Sequence, residues 1–372
     1  MIDYCVILNK SRVMIGIIDV FSSVLWNKDY YSTGDFEIYT TATAEHIELL
    51  QMGFYVQLPN DDEVGIIEHI EKNFSVSKGE MIVASGRFAK GILDRRIIYR
   101  LNGTQNPAYV LTGNVEAAAR ALVNNNIIAA ADANRNIPFI ALGASAGIGK
   151  TIVDDGGNSA KKQTTGDNLL EYSDELLKEY EMAAHMVLGD GNKLLYTVFV
   201  GKDRSLNNTQ GNDPVIFSRE FDSLVESSYI KDDTMLKTTA IIGGAGEDLE
   251  RFTVLYNGLW AGEERREFYV DAKNVQKKYR DDNDEEQEYD DYDYTMLLNA
   301  EAKTEMIELA VEETIGGVFD VTNSNYKYRR DFNIGDVVTV ADSKIGLSKA
   351  SRIVKIYESQ DLNGYSLSVE FE

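Results

Sequence analysis

The sequence predicts a mainly β chain of the α+β class, with strand-rich regions at both ends and one mixed α/β region between them. Three observations lead there. Short runs of Val, Ile, Phe and Tyr, separated by turn residues, recur near both termini. Helical periodicity is concentrated in the middle of the chain. Only 4 prolines accompany 21 tyrosines and 14 phenylalanines, which favours strands over Pro-rich linkers. At roughly 100–200 residues per domain, 372 residues make two or three domains. The boundaries read as 1–103, 104–210 and 211–372, the last carrying an acidic and helical insertion at about 262–316.

The first region supplies strand candidates at 5–8, 13–18, 36–39, 54–58, 64–70 and 81–84. Ser32-Thr33-Gly34-Asp35 and Pro59-Asn60-Asp61-Asp62 are turns between them, and 44–50 is a short helix. Many short strands at regular spacing indicate a barrel or sandwich. In the middle region, Asn114 caps a helix that buries Val115, Ala118, Ala119, Leu122 and Val123. Asp167 opens a second helix with Leu169, Leu170, Leu176, Leu177, Tyr180 and Ala184 on its buried face, and 194–200 is a strand. In the last region, strands are expected at 215–217, 237–242, 252–256, 337–340, 351–357 and 365–371. An acidic low-complexity run at 281–294 and a helix at 299–315 interrupt them; Ala302, Met306, Leu309 and Ala310 share one helix face.

Composition excludes several function classes. Acidic residues outnumber basic ones 61 to 37, a net charge of −24, which argues against phosphate-gripping or polybasic membrane binding. Cys5 is the single cysteine and there are three histidines, His46, His69 and His185, so a disulfide or a Cys/His metal centre is not expected. No apolar run reaches the roughly 18–20 residues of a membrane-spanning helix. The N-terminus lacks the order of a signal peptide, so synthesis in the cytoplasm is expected.

Two motifs suggest catalysis. Ala144 to Thr151 fits a relaxed phosphate loop, with Lys150 and Thr151 in the phosphate and magnesium roles. A long helix should follow, but Gly156-Gly157 ends any helix within two turns. Gly143-Ala144-Ser145-Ala146-Gly147 fits a nucleophile elbow, with Asp174 and His185 downstream in the Ser, Asp, His order. Those three lie too close in sequence for the strands that normally separate them, and His185 reads as a helix C-terminal residue. The acidic run lacks the Gly and Glu positions of a calcium loop: from Asp281, Glu286 and Tyr292 occupy them. No catalytic, cofactor or metal residue is therefore assigned.

Ordered blocks along the chain carry a resemblance. Trp26, Tyr30, Gly34, Phe36 and Glu37 form one; Gly65 to Glu68, Gly86-Arg87 and Gly91 to Ile98 follow. Asp167 to Leu170, Gly201 to Ser205, Pro214 to Ser218, Tyr328 to Val338 and Ala350 to Ile353 complete the series. In this order and spacing the chain resembles the hub proteins of siphophage tail tips, the N-terminal part of the tail-associated protein, which are related to contractile-tail baseplate hubs. The acidic run from Asp281 departs from the pattern.

The resemblance implies two tube-like β-barrel domains with an intervening α/β domain. It implies a homotrimer whose barrels form a pseudo-sixfold ring at the virion tail tip. The implied partners are the distal tail protein ring, the tape-measure protein and receptor-binding or fibre proteins, with DNA passing through unbound. No enzymatic activity and no cofactor are carried over. The alternatives are a serine hydrolase at Ser145, a tail-associated cell-wall hydrolase, or a carbohydrate-binding tail module suggested by the tyrosines. Trp26, Asp94, Arg95, Arg96, Asp203 and Arg204 are the structural or interface candidates: Trp26 as core, the others as charge-paired contacts within or between subunits.

Overall fold

The computed structural model describes the 372-residue chain except 78, 100–108, 154–158, 219–227, 248–249, 274, 276, 281–285, 317–318 and 345. For 163, 228–230, 279–280, 286, 304, 307–308, 312–316, 319 and 347 only the backbone is described. Two compact units emerge. One comprises Met1–Asp154, Ser159–Ser228 and Gly316–Glu372, and the other is formed by Tyr229–Ile315.

The first unit is dominated by a sheet of ten strands that draws on both ends of the chain. Its main path runs Asp203–Arg204, Val337–Asp342, Leu347–Asp361, Ser23–Asp29, Asp35–Thr41, Gly79–Arg87, His69–Ser75. Gly364–Phe371 pairs with Leu347–Asp361, and Ile216–Ser218 runs parallel to Val337–Asp342. The seam between the ends is antiparallel, with Trp26 opposite Glu358 and Val24 opposite Gln360. Alternation sets the buried face: Val24 and Trp26 in one strand and Phe36 and Ile38 in the next are buried, while their neighbours face out.

A four-stranded sheet, Met14–Ile18, Cys5–Leu8, Tyr55–Gln57, Gly65–Ile66, packs Cys5, Ile7, Ile18 and Val56 into the same core and turns Leu8, Tyr55 and Ile66 toward the core of the middle region. Burial pushes the free Cys5 thiol up to about 12. The expected single strand at 64–70 is divided, because the chain crosses from this sheet to the ten-stranded one between Ile66 and His69.

The middle of the chain builds a second core within this unit. Helix Val115–Val123 is capped by Asn114, whose side chain accepts the Ala117 N–H, as the sequence predicts. Helix Leu169–Glu179 buries Leu169, Leu170, Leu176 and Leu177 as expected. Its cap is Asn168 instead of Asp167, whose carboxylate accepts from Thr164 Oγ1 at 2.6 Å. Both helices pack with a sheet of Ile140–Leu142, Lys193–Phe199 and Ala183–Gly189. Ala184 and His185 therefore belong to a strand, correcting their placement on the helix, which ends at Glu179.

In the second unit, strands Thr253–Tyr256, Thr239–Gly243 and Glu267–Asp271 form a sheet. Helix Asp291–Glu308 covers one face, with Tyr294, Leu298 and Ala302 against Ala240, Ile242 and Val270. This helix begins eight residues before the expected 299. The acidic run reads as a loop by composition, yet its last members serve the helix N-terminus. Asp290 accepts the Asp293 N–H at 2.8 Å, and Asp291 and Asp293 sit in the first turn, where the helix dipole favours negative charge. Residues 281–285 of that run lie outside the described residues.

The fold is thus mainly β with an α/β centre. Among the described residues no sheet closes on itself as a barrel, and the ten-stranded one branches from its main path.

Candidate functional site

Polar side chains converge most densely where the two ends of the chain meet. Trp26 and Lys28, two apart on Ser23–Asp29, point to the same side of their strand. The turn after Leu58, with Asn60 at φ +65, brings Asp61 beneath them. The Asp61 carboxylate accepts from Trp26 Nε1 (3.1 Å), Lys28 Nζ (2.8 Å), Arg329 (2.9 Å) and the Glu63 N–H (3.0 Å). Lys28 also pairs with Glu63 at 2.9 Å, and Arg329 with Glu358 at 2.9 Å. Arg329 holds a left-handed backbone, φ +67, and lies over the Tyr328 ring.

The carboxylate at the centre is almost fully enclosed, the Asp61 side chain being 2% exposed, while Arg329 reaches in from the surface at 27%. Burial alone would raise the Asp61 carboxyl, but Lys28 and Arg329 outweigh it and hold it below the usual carboxylate range. Burial would likewise lower the Lys28 ammonium; Glu63, Tyr328 and Asp61 outweigh that and hold it charged. The cluster tethers residues 268 positions apart in sequence.

Beside the cluster is a cavity of about 380 Å³ lined by Lys28, Asp61, Glu63, His185, Phe199 and Arg329 among others. The His185 ring stacks on Phe199 with centroids 4.6 Å apart, and burial pushes its imidazole below the usual value. Four of the lining charges, Lys28, Asp61, Glu63 and Arg329, are engaged with one another or with Glu358. The arrangement suits it to locking strands together.

The loop that suggested catalysis has two of its amides and its lysine engaged by other parts of the chain. The Glu116 carboxylate accepts the N–H groups of Ala146 (2.8 Å) and Ile148 (3.0 Å), and the Ser145 hydroxyl lies near enough to favour its charge. Burial opposes the charge on Glu116, yet these bonds outweigh it and lower its pKa. Lys150 donates to the Tyr180 carbonyl and pairs with Glu181, and no helix follows the loop before the undescribed residues begin at 154. An internal carboxylate thus fills the place a phosphate would take. The three hydrolase candidates have separate partners: Ser145 has Glu116, Asp174 has Lys90 at 2.9 Å, and His185 has Phe199.

The family described as Siphovirus ReqiPepy6 Gp37-like protein matches residues 5–371. The chain belongs to that family. The fold of this Gp37-like chain is shared with phage tail proteins. A tail protein from Neisseria meningitidis MC58 is 13% identical with a TM-score of 0.55, covering 99% of this chain and 95% of that one. The prophage MuSo2 43 kDa tail protein from Shewanella oneidensis is 12% identical with a TM-score of 0.57, covering 99% and 98%. The prophage tail protein gp18 from Listeria monocytogenes EGD-e is 12% identical with a TM-score of 0.52, covering 99% and 94%. Curated protein sequences give no match.

Within the Gp37-like chain, the residues singled out from sequence fall in three places. Trp26 lies in the core, 1% exposed, its ring packed on Phe36 and Phe88. Asp94 and Arg95 join a cluster around Arg87, which donates to Glu68 (2.9 Å) and Asp94 (3.1 Å); Arg95 reaches Glu68 at 3.5 Å. Arg96 instead donates to the Arg135 and Arg95 carbonyls. Arg204 pairs with the buried Asp336 at 3.0 Å, and Asp203 accepts the Ser205 N–H. Gly335, at φ +87, lies against the Tyr30 ring, a conformation and a closeness that a Cβ would disturb.

Lys28, Asp61, Arg329, Glu358, Glu116 and Asp336 were not singled out from sequence. The block Tyr328 to Val338 held Arg329 and Asp336, but nothing in it indicated their partners. Among the described residues, no cluster of three or more His, Cys, Asp or Glu could hold a metal ion, and no helix is long and apolar enough to cross a membrane.

Proposed function

We propose that this chain is the structural hub of a bacteriophage tail tip or baseplate. It acts as a homotrimeric adaptor between the distal tail protein ring and the tip, and forms part of the DNA exit channel. One observation carries the reading: a siphovirus family match from residue 5 to 371 on a chain whose fold follows three tail proteins, two of them from prophages, over 99% of its length.

In this reading 1–103 and 211–372 supply the two tube-forming parts and 104–210 the α/β part between them. Sheets that are open in one subunit are completed by neighbouring subunits, giving a pseudo-sixfold ring from three copies. The tape-measure protein ends there, and receptor-binding or fibre proteins attach below. Three copies carry three times the −24 charge of one, and an acidic wall repels phosphate, so DNA passes without being held. The hub is made in the host cytoplasm and works without catalysis or cofactor. The occupied loop amides around Glu116 support that part of the reading.

Electron microscopy of the chain mixed with its distal tail protein tests the assignment. The expected result is a threefold ring stacked on a sixfold one. Failure to associate, together with ester or peptidoglycan turnover abolished by Ser145→Ala, would replace the hub with a hydrolase.

A further inference from the structure

A second cavity, of about 600 Å³, lies in the first unit and shares Asn60, Tyr328 and Arg329 with the cavity beside Asp61. Its size falls within the roughly 300–1,000 Å³ of small-ligand sites. Asn60 (φ +65) and Arg329 (φ +67) stand in its wall in the left-handed region without being glycine. Such backbone conformations gather at ligand clamps.

The lining has three parts. Ile2, Leu58, Val321 and Leu367 are buried and supply an apolar surface. Tyr326, Tyr328 and Tyr365 supply half-buried aromatic rings. Packing fixes these rings: Tyr326 meets Phe217 edge-on with centroids 6.0 Å apart, Tyr328 packs on Phe332 beneath the Arg329 guanidinium, and Tyr365 lies against the core. The Tyr326 and Tyr365 hydroxyls have no hydrogen-bond partner among the described residues.

The third part is charge, and it leaves no surplus. Arg329 is paired with Asp61 and Glu358, and Arg330 with Asp331. Lys327 and Asp3 have no ion-pair partner among the described residues, and they are of opposite sign; the Lys327 ammonium donates to the Ser324 carbonyl at 2.9 Å. An anion would need unpaired cations and finds one, offset by Asp3. A wholly apolar ligand would leave the two phenols, Lys327 and Asp3 without partners. A neutral ligand with an apolar face and many hydroxyls satisfies all three parts, and a sugar ring has that build: its C–H face suits an aromatic ring and its hydroxyls both donate and accept.

We propose that this cavity binds a neutral saccharide of disaccharide size, stacked on the tyrosine rings and hydrogen-bonded by the Tyr326 and Tyr365 hydroxyls, Lys327 and Asp3. Rings fixed before binding lose little freedom when the sugar arrives. The site adds ligand binding to the chain and does not rest on the hub reading.

Saturation-transfer NMR on the full chain tests this, with maltose, cellobiose, lactose and N,N′-diacetylchitobiose as probes. The expected result is saturable binding of at least one of them, undisturbed by inorganic phosphate or galacturonate. Tyr326→Phe with Tyr365→Phe keeps both rings and removes both hydroxyls; it should weaken binding about tenfold with unchanged circular dichroism. Lys327→Met alters an exposed side chain, serves if the double variant loses stability, and should weaken binding about fivefold. Tyr269→Phe, on an exposed strand of the second unit, should leave binding unchanged.

No saturable binding of any of the four sugars overturns the proposal, whatever the native mass of the chain. Competition by phosphate or galacturonate overturns it in favour of an anion site. Unchanged affinity in both cavity variants, or a loss in Tyr269→Phe, puts the sugar elsewhere and overturns the assignment to this cavity.

Discussion

The loop Gly143 to Lys150 and the cluster around Asp61 differ in how their chemistry is spent. The loop looks like a ligand site when read along the chain, yet Glu116 occupies its amides. The cluster shows no motif in sequence, yet it gathers Trp26, Lys28, Asp61, Arg329 and Glu358 from both ends of the chain. A local motif reports what a backbone could bind. Only the tertiary fold decides whether the site is left free.

The contrast breaks most sharply at Asp61. Replacing it by Ala leaves the mostly buried Lys28 and the half-buried Arg329 without their shared carboxylate, and the expected loss is about 3–5 kcal/mol in denaturant unfolding. A combined Asp61→Leu, Lys28→Met, Arg329→Met, Glu63→Gln and Glu358→Gln variant should recover most of that loss, because the carboxylates that Lys28 and Arg329 pair with are removed together with them. A loss as large as that of Asp61→Ala would mean the cluster stabilises by more than mutual charge compensation.

Glu116→Gln should cost about 1–3 kcal/mol, since one amide acceptor is replaced by a donor group. Phosphate or ATP should not bind the variant. Saturable nucleotide binding there would mean that the carboxylate guards a real phosphate site.

Acid should separate the titrating groups. Asp61 and Glu68 have folded pKa values below their ordinary 3.8 and 4.5, so their stabilisation is complete above those values and is lost as pH falls through the lower folded ones. His185 is also lowered from 6.5, so stability begins to fall once pH drops below that value, as the unfolded state binds the proton first. Asp174 runs the other way: burial raises its carboxyl despite Lys90, and acid relieves it. Thermal unfolding from pH 8 to 3 should show a shallow decline below pH 6.5 and a steep one below 4. A His185→Phe variant should lose the shallow phase.

The smallest effect is expected at Arg95, whose side chain is 51% exposed. Arg95→Ala should change stability by less than about 1 kcal/mol.

Much of the fold was legible because its signals are local. Alternation marked most of the strands, and Asn114 marked its helix through one side-chain bond. The helix at Asp291 was placed too late, because an acidic run reads as solvated loop unless its partner is the helix N-terminus. The site was far less legible. Asp61 and Arg329 are separated by 268 positions, and no spacing rule links a turn aspartate to an arginine that distant. Trp26 was read as core and lies there, although its indole N–H bond to Asp61 depends on the same long-range closure.

The central claim is a trimeric tail hub, and native mass by light scattering over a concentration series tests it most directly. The account predicts a species at three times 41.6 kDa, alone or with the distal tail protein present. A chain that remains at 41.6 kDa at every concentration, with and without that partner, would contradict it.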